Sequence, residues 1–202
     1  MEADWPRFNT PLRLAVMASG SGSNFEALVT ATQQQLDAHI EVLVVNNPGC
    51  GAQQRAERLG VPCTVHDHRL YSNREELDRA LVGTFQAADV DAVVMAGWMR
   101  IVTPVLIEAF QGRLINIHPS LLPSFRGLDA VGQALTAGVR LTGCTAHVVT
   151  ADVDTGPIIA QAAVPVLDTD DHRSLSERIH RQEHRVLPWA VALKGTDWRN
   201  QG

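Results

Sequence analysis

Short, almost unbroken apolar runs recur along this chain, spaced to leave room for a helix after each: LRLAVMA at 12–18, IEVLVVNN at 40–47, DAVVMAG at 91–97 and RLINIH at 113–118. None approaches the roughly 18 apolar residues that a membrane span needs. Each ends in turn-forming residues, as strands buried on both faces do. Between them lie segments with helical periodicity. Asn24 is placed to cap FEALVTATQQQL, AQQRAERLG (52–60) ends at a glycine, and NREELDRALVGTFQAA (73–88) follows a further strand, PCTVHDH (62–68). A short helical segment near 104–110 and a helix over 127–137 complete the alternation. Strands covered on both faces belong to parallel sheets flanked by helices on each side.

The texture changes after residue 141. TGCTAHVVTADVDTGPIIAQAAVPV (142–166) reads as two strands joined by an Asp-rich turn at Gly156-Pro157, an antiparallel hairpin. SLSERIHRQEHRVLPWAVALKG (174–195) reads as a helix bent at Pro188. The expected fold is therefore α/β: a doubly wound, mostly parallel, Rossmann-like sheet with helices on both faces and an antiparallel C-terminal hairpin addition. Its 202 residues fit one domain over 1–202, with 1–11 and 196–202 expected to be poorly ordered ends.

A formal net charge of -5, without any basic stripe, argues against a nucleic-acid partner. The start, MEADWPRFNTP, lacks the basic and apolar regions of a signal peptide. Cys50, Cys63 and Cys144 are odd in number and widely spaced, which suggests neither a disulfide framework nor a zinc site and fits a reducing cytoplasm. His66 and His68 supply two imidazoles without a third ligand, so no metal is expected.

In open parallel sheets, ligands bind beyond the carboxyl ends of the strands. The first such end is SGSGSN, 19–24, either a phosphate-binding helix N-terminus or a tight connecting turn; it is neither a Walker A nor a GxGxxG motif. The second is AGWMRIV, 96–102, whose backbone and apolar side chains suit a flat heterocycle and equally suit core cover. The third is INIHPSLLP, 115–123. Residues i and i+2 of a strand share a face, so Asn116 and His118 point together while Ile115 and Ile117 point away. A carboxamide can donate to an oxyanion, and an imidazole can exchange a proton near neutral pH. The fourth is TADVDTGP, 150–157, where Asp152 reads as a turn-shaping residue and Asp154, beside His118, would favour the imidazolium.

Taken in order, SGSGSN, AGWMRIV, INIHPSLLPSFRG and DVDTGPII resemble the folate-dependent formyltransferase and hydrolase superfamily over residues 12–190. The resemblance implies Asn116, His118 and Asp154 as the catalytic trio, with 10-formyltetrahydrofolate as formyl donor. The GSGSN loop narrows the implied acceptor to 5-phosphoribosylglycinamide, its phosphate on the backbone of Gly22, Ser23 and Asn24 and its ribose hydroxyls on Glu183. Met99, Arg100, Ile101 and Val102, with Asn116, would frame the donor's pterin, and Arg74 would face its tail. Val102 stands where family members often carry Leu. After Pro123 the sequence departs from relatives that have a proline and further histidines, so Arg126 and Asp129 receive no role. His66, His68, His147, His172 and His184 are read as structural or solvated, and Cys144 as a small core residue. The implied protein is a monomer or homodimer acting on small molecules. A formyltetrahydrofolate hydrolase, a tRNA- or sugar-nucleotide-directed formyltransferase and a noncatalytic binding module are the rival readings.

Overall fold

The computed structural model describes residues 4–200, the side chain of Asn200 excepted. Its elements run β1 (Leu12–Ala18), α1 (Ser23–Gln34), β2 (Ala38–Val45), α2 (Gly51–Leu59), β3 (Cys63–Val65), α3 (Arg74–Ala87), β4 (Ala92–Met95), α4 (Pro104–Ala109), β5 (Leu114–His118), α5 (Ala130–Ala137), β6 (Leu141–Val148), β7 (Ile158–Pro165) and α6 (His172–Asn200). The strands form one seven-stranded sheet in the order β3-β2-β1-β4-β5-β6-β7. Strands β1 to β5 pair in parallel, and β6 and β7 add on antiparallel beyond β5.

Alternation along each strand divides the core between the two faces. Leu12, Leu14, Val16 and Ala18 of β1 pack with α1, α2 and α6, while Ala15 and Met17 pack with α3 and α4. In β5, Ile115 and Ile117 join the first layer and Leu114 the second, so Asn116 and His118 share the opposite face from the two isoleucines. Helices thus cover both faces. The strand order reverses between β1 and β4, the switch point beyond which such sheets open a crevice.

Several boundaries move. Helix α1 starts at Ser23 with Gly22 as its N-cap, so Asn24 is not the cap but a buried first-turn residue. The cause is close approach: Gly22 has φ +77, and a Cβ there would lie 2.5 Å from the Ala52 Cα, so glycine alone lets the loop rest against α2. The strand expected at 62–68 shrinks to Cys63–Val65, paired only with β2, before a turn of 3-10 helix at His68–Leu70.

Helix α6 runs unbroken through Pro188 and reaches Asn200. The ends expected to be loose are packed where they are described. Trp198 Nε1 donates to the Gly112 carbonyl at 3.0 Å, and Arg199 pairs with Asp91 at 2.7 Å. Trp5 meets Trp189 edge-on at 5.2 Å, and Phe8 N donates to Asp37 Oδ2 at 2.7 Å. Residues 1–3 and 201–202 lie outside the described part of the chain.

Candidate active site

The loops leaving β1, β4 and β5, the β6–β7 loop and one face of α6 enclose a cleft of about 1050 Å³. That volume is at the upper end for a single small-molecule site and suits two substrates side by side. One end is the loop after β1. The carbonyls of Ser19, Gly20 and Ser21 accept from Asn47 Nδ2, Ala52 N and Arg55 Nε. Gly22, Ser23 and Asn24 line the cleft, and the first-turn amides of α1 have no intrahelical acceptor, which with the helix dipole favours an anion.

Glu183 of α6 lies beside this loop, 3% exposed. Asn24 Nδ2 donates to its Oε2 at 2.7 Å, and His180 is 4.0 Å away. Burial raises the Glu183 pKa, against the Asn24 hydrogen bond and the His180 and His118 charges, which lower it. Asn24 Oδ1 is buried without a partner among the described residues. An orphan carbonyl beside a buried carboxyl group is a pair of acceptors suited to hydroxyl donors.

At the centre, Asn116, His118, His147 and Asp154 meet. His118 Nδ1 lies 3.3 Å from Asp154 Oδ2, and its Nε2 lies 2.8 Å from the Phe125 carbonyl. Both partners are acceptors, one facing each ring nitrogen. His147 Nε2 lies 3.5 Å from Asp154 Oδ1 and 3.3 Å from Asn116 Nδ2, while its Nδ1 donates to the Val148 carbonyl. Asp154, at φ 53 in the β6–β7 loop, also accepts from Gly127 N at 2.8 Å. Burial pushes its pKa up, but the hydrogen bonds from His147 and Gly127 and the neighbouring imidazoles outweigh this and leave it below the usual carboxylate value.

The other end is made by the loop after β4. Met99 N donates to Ser19 Oγ at 2.9 Å, tying this loop to the first. Met99 and Ile101 stand exposed at the rim, Val102 is buried, and Arg100 lines the cleft with its Nε buried and unpartnered among the described residues. Arg74, at the start of α3, is exposed and stands apart from the cleft lining.

His147, read in the sequence as structural or solvated, lines the cleft. The signal was the pairing register: β6 runs antiparallel to β5 and sets His147 directly opposite Asn116. His172 and His180 also line the cleft from α6, although His172 is paired with Asp129 at 2.9 Å. His66 has a structural place, with its ring nitrogens 2.6 Å from Tyr71 Oη and 2.8 Å from Thr84 Oγ1. Cys144 is fully buried in β6 and its thiol is pushed up to about 12 by burial, then by Glu183, so it carries no thiolate at neutral pH.

Residues 12–191 match the family model described as formyl transferase. The chain belongs to the formyl transferase family. A relative from Bacillus subtilis strain 168, named phosphoribosylglycinamide formyltransferase, is 41% identical over 180 residues, covering 89% of this chain and 92% of that protein. The trifunctional purine biosynthetic protein adenosine-3 of Drosophila melanogaster is 45% identical over 184 residues, but this formyltransferase chain spans only 14% of that protein's length. The crystal structure of glycinamide ribonucleotide transformylase 1 from Symbiobacterium toebii superposes with a TM-score of 0.90 at 42% identity, covering 93% of this chain and 90% of the other.

Proposed function

We propose that this family member transfers the formyl group of 10-formyltetrahydrofolate to the amine of 5-phosphoribosylglycinamide, a step of purine biosynthesis. The observation that carries the reading is continuity: a single cleft runs from an anion-favouring loop, past a buried carboxyl group, to a carboxamide–imidazole–carboxylate cluster and then an apolar rim. The relatives' names support the same acceptor. The acceptor's phosphate would lie on Gly22, Ser23 and Asn24, its ribose hydroxyls on Glu183 and Asn24 Oδ1. The donor's ring would lie along Met99 to Val102, with Arg100 available to its polar edge. Arg74 would serve only a tail long enough to leave the cleft.

As the amine nitrogen attacks the formyl carbon, the carbonyl π pair moves to oxygen. An Asn116 N–H and protonated His118 would stabilise that oxyanion, the imidazole exchanging the Phe125 carbonyl for the new acceptor. Collapse breaks the bond from carbon to N10. The attacking nitrogen loses a proton and N10 gains one, with His118 as carrier and Asp154 holding its ring charged and oriented. Holding both substrates in one cleft supplies much of the rate gain.

Incubation of the purified protein with 10-formyltetrahydrofolate, with and without 5-phosphoribosylglycinamide, tests this. Tetrahydrofolate should form only when the acceptor is present. Formate release without acceptor would indicate a hydrolase, and no turnover in either tube would indicate a binding module; either result would overturn the proposal.

A further inference from the structure

One buried ionisable group lies outside every step of the reaction above. Asp78, in α3, is 2% exposed. Its Oδ2 accepts twice from Thr103, at 2.6 Å from the backbone amide and 2.8 Å from Oγ1. Burial raises its pKa; the Thr103 donors and the Arg74 cation one turn earlier oppose that rise, and Glu75 adds to it. A carboxylate taken out of water costs stability unless its bonds serve a purpose that an apolar side chain would not.

Helix packing does not supply that purpose. Leu77, Leu81 and Phe85 of α3 already pack with Leu106 and Phe110, the two phenylalanines edge-on at 5.8 Å. Thr103 is instead the point where the loop after β4 ends and α4 begins. Its hydroxyl makes no capping bond to its own helix and donates to Asp78. The loop's opposite end is fixed by Ser19, which donates its amide to the Gly97 carbonyl at 3.0 Å and accepts Met99 N on Oγ. Between these two anchors stand Met99, Arg100 and Ile101, with the first and last exposed at the cleft rim.

We infer that Asp78 is a positioning residue for the formyl donor: by clasping Thr103 it fixes the loop after β4 in the shape that receives the donor's ring, and it does not touch the acceptor. This rests on the reading that the donor occupies the 96–102 end of the cleft. The clasp and the acceptor site lie on different loops, so the two substrates should respond differently to its loss.

Steady-state kinetics with each substrate varied separately would test this on wild type, Asp78→Ala, Asp78→Asn and Thr103→Val. Asp78→Ala should raise the donor KM by about tenfold or more, while the acceptor KM and kcat at saturating donor stay within about threefold. Asp78→Asn keeps an acceptor oxygen and should restore the donor KM to within about threefold of wild type. Thr103→Val keeps the amide and loses the hydroxyl. It should raise the donor KM by a smaller factor and add nothing when combined with Asp78→Ala, since both changes break one clasp. If Asp78→Ala does not fold, Thr103→Val carries the same test. An unchanged donor KM in the folded variants, or donor and acceptor KM rising together, would overturn the inference alone. Wild type failing to use the donor would overturn the functional reading, and this inference with it.

Discussion

His118 and Glu183 show how single positions are set by what surrounds them. His118 lies between the Asp154 carboxylate and the Phe125 carbonyl, one acceptor facing each ring nitrogen. Asp154 has its pKa lowered because donated hydrogen bonds and imidazole charge outweigh its burial. A lowered carboxylate pKa contributes stability that is full above the unfolded-state value and is lost as pH falls through the folded one. Asp154→Asn should therefore flatten the loss of thermal stability on acidification below the ordinary carboxylate range, as read by melting curves; an unchanged pH dependence would count against the pairing. Glu183 has the opposite sign. Burial raises its pKa, so its contribution is complete at low pH and is lost as pH rises through the folded value. Glu183→Gln keeps an acceptor for Asn24 and removes the charge. At pH 7 to 8 it should melt higher, by about 2–4 °C for each kcal/mol relieved, while the acceptor KM rises. A variant that melts lower at that pH would contradict the desolvation argument.

At the scale of elements, the phosphate-side loop depends on Gly22, whose positive φ and missing Cβ let it rest on α2. Gly22→Ala should cost about 1–3 kcal/mol and weaken acceptor binding. Gly20→Ala, with open space around its Cβ, should leave stability within about 0.5 kcal/mol of wild type. Equal denaturation midpoints for the two variants would refute the close-approach argument. The same glycine explains one misplaced boundary. Asn24 carries the chemistry of a helix cap, but the backbone conformation available to Gly22 let the helix begin earlier and freed the Asn24 amide for Glu183. The buried strands and their order of alternation with helices were readable because strand burial leaves a nearly continuous apolar record. Strand β3 was read too long, at 62–68 where the strand is Cys63–Val65, since an edge strand held by one neighbour leaves no such record of its ends. The chain ends were misread because Trp5 and Phe8, half-buried, pack on the core and Trp198 is buried, all through contacts with residues far away in sequence.

At the scale of the molecule, the switch point between β1 and β4 and the antiparallel addition beyond β5 bring distant segments to one crevice. Asn116, His118 and Asp154 were visible in the sequence as a resemblance and as strand-end polar residues. His147 was hidden, because only the β5–β6 register reveals its place opposite Asn116. Among the described residues no helix is long and apolar enough to cross a membrane. The claim on which the functional reading turns is that the imidazole of His118 and the carboxylate of Asp154 act as one unit on the carbon being transferred. The kcat of His118→Ala, Asp154→Asn and the double variant, measured on folded protein, tests it most directly. Each single change should lower kcat by about 10²–10⁴-fold, and the double variant should be about as slow as the slower single. Wild-type-like turnover from either single variant, or losses that multiply in the double, would contradict it.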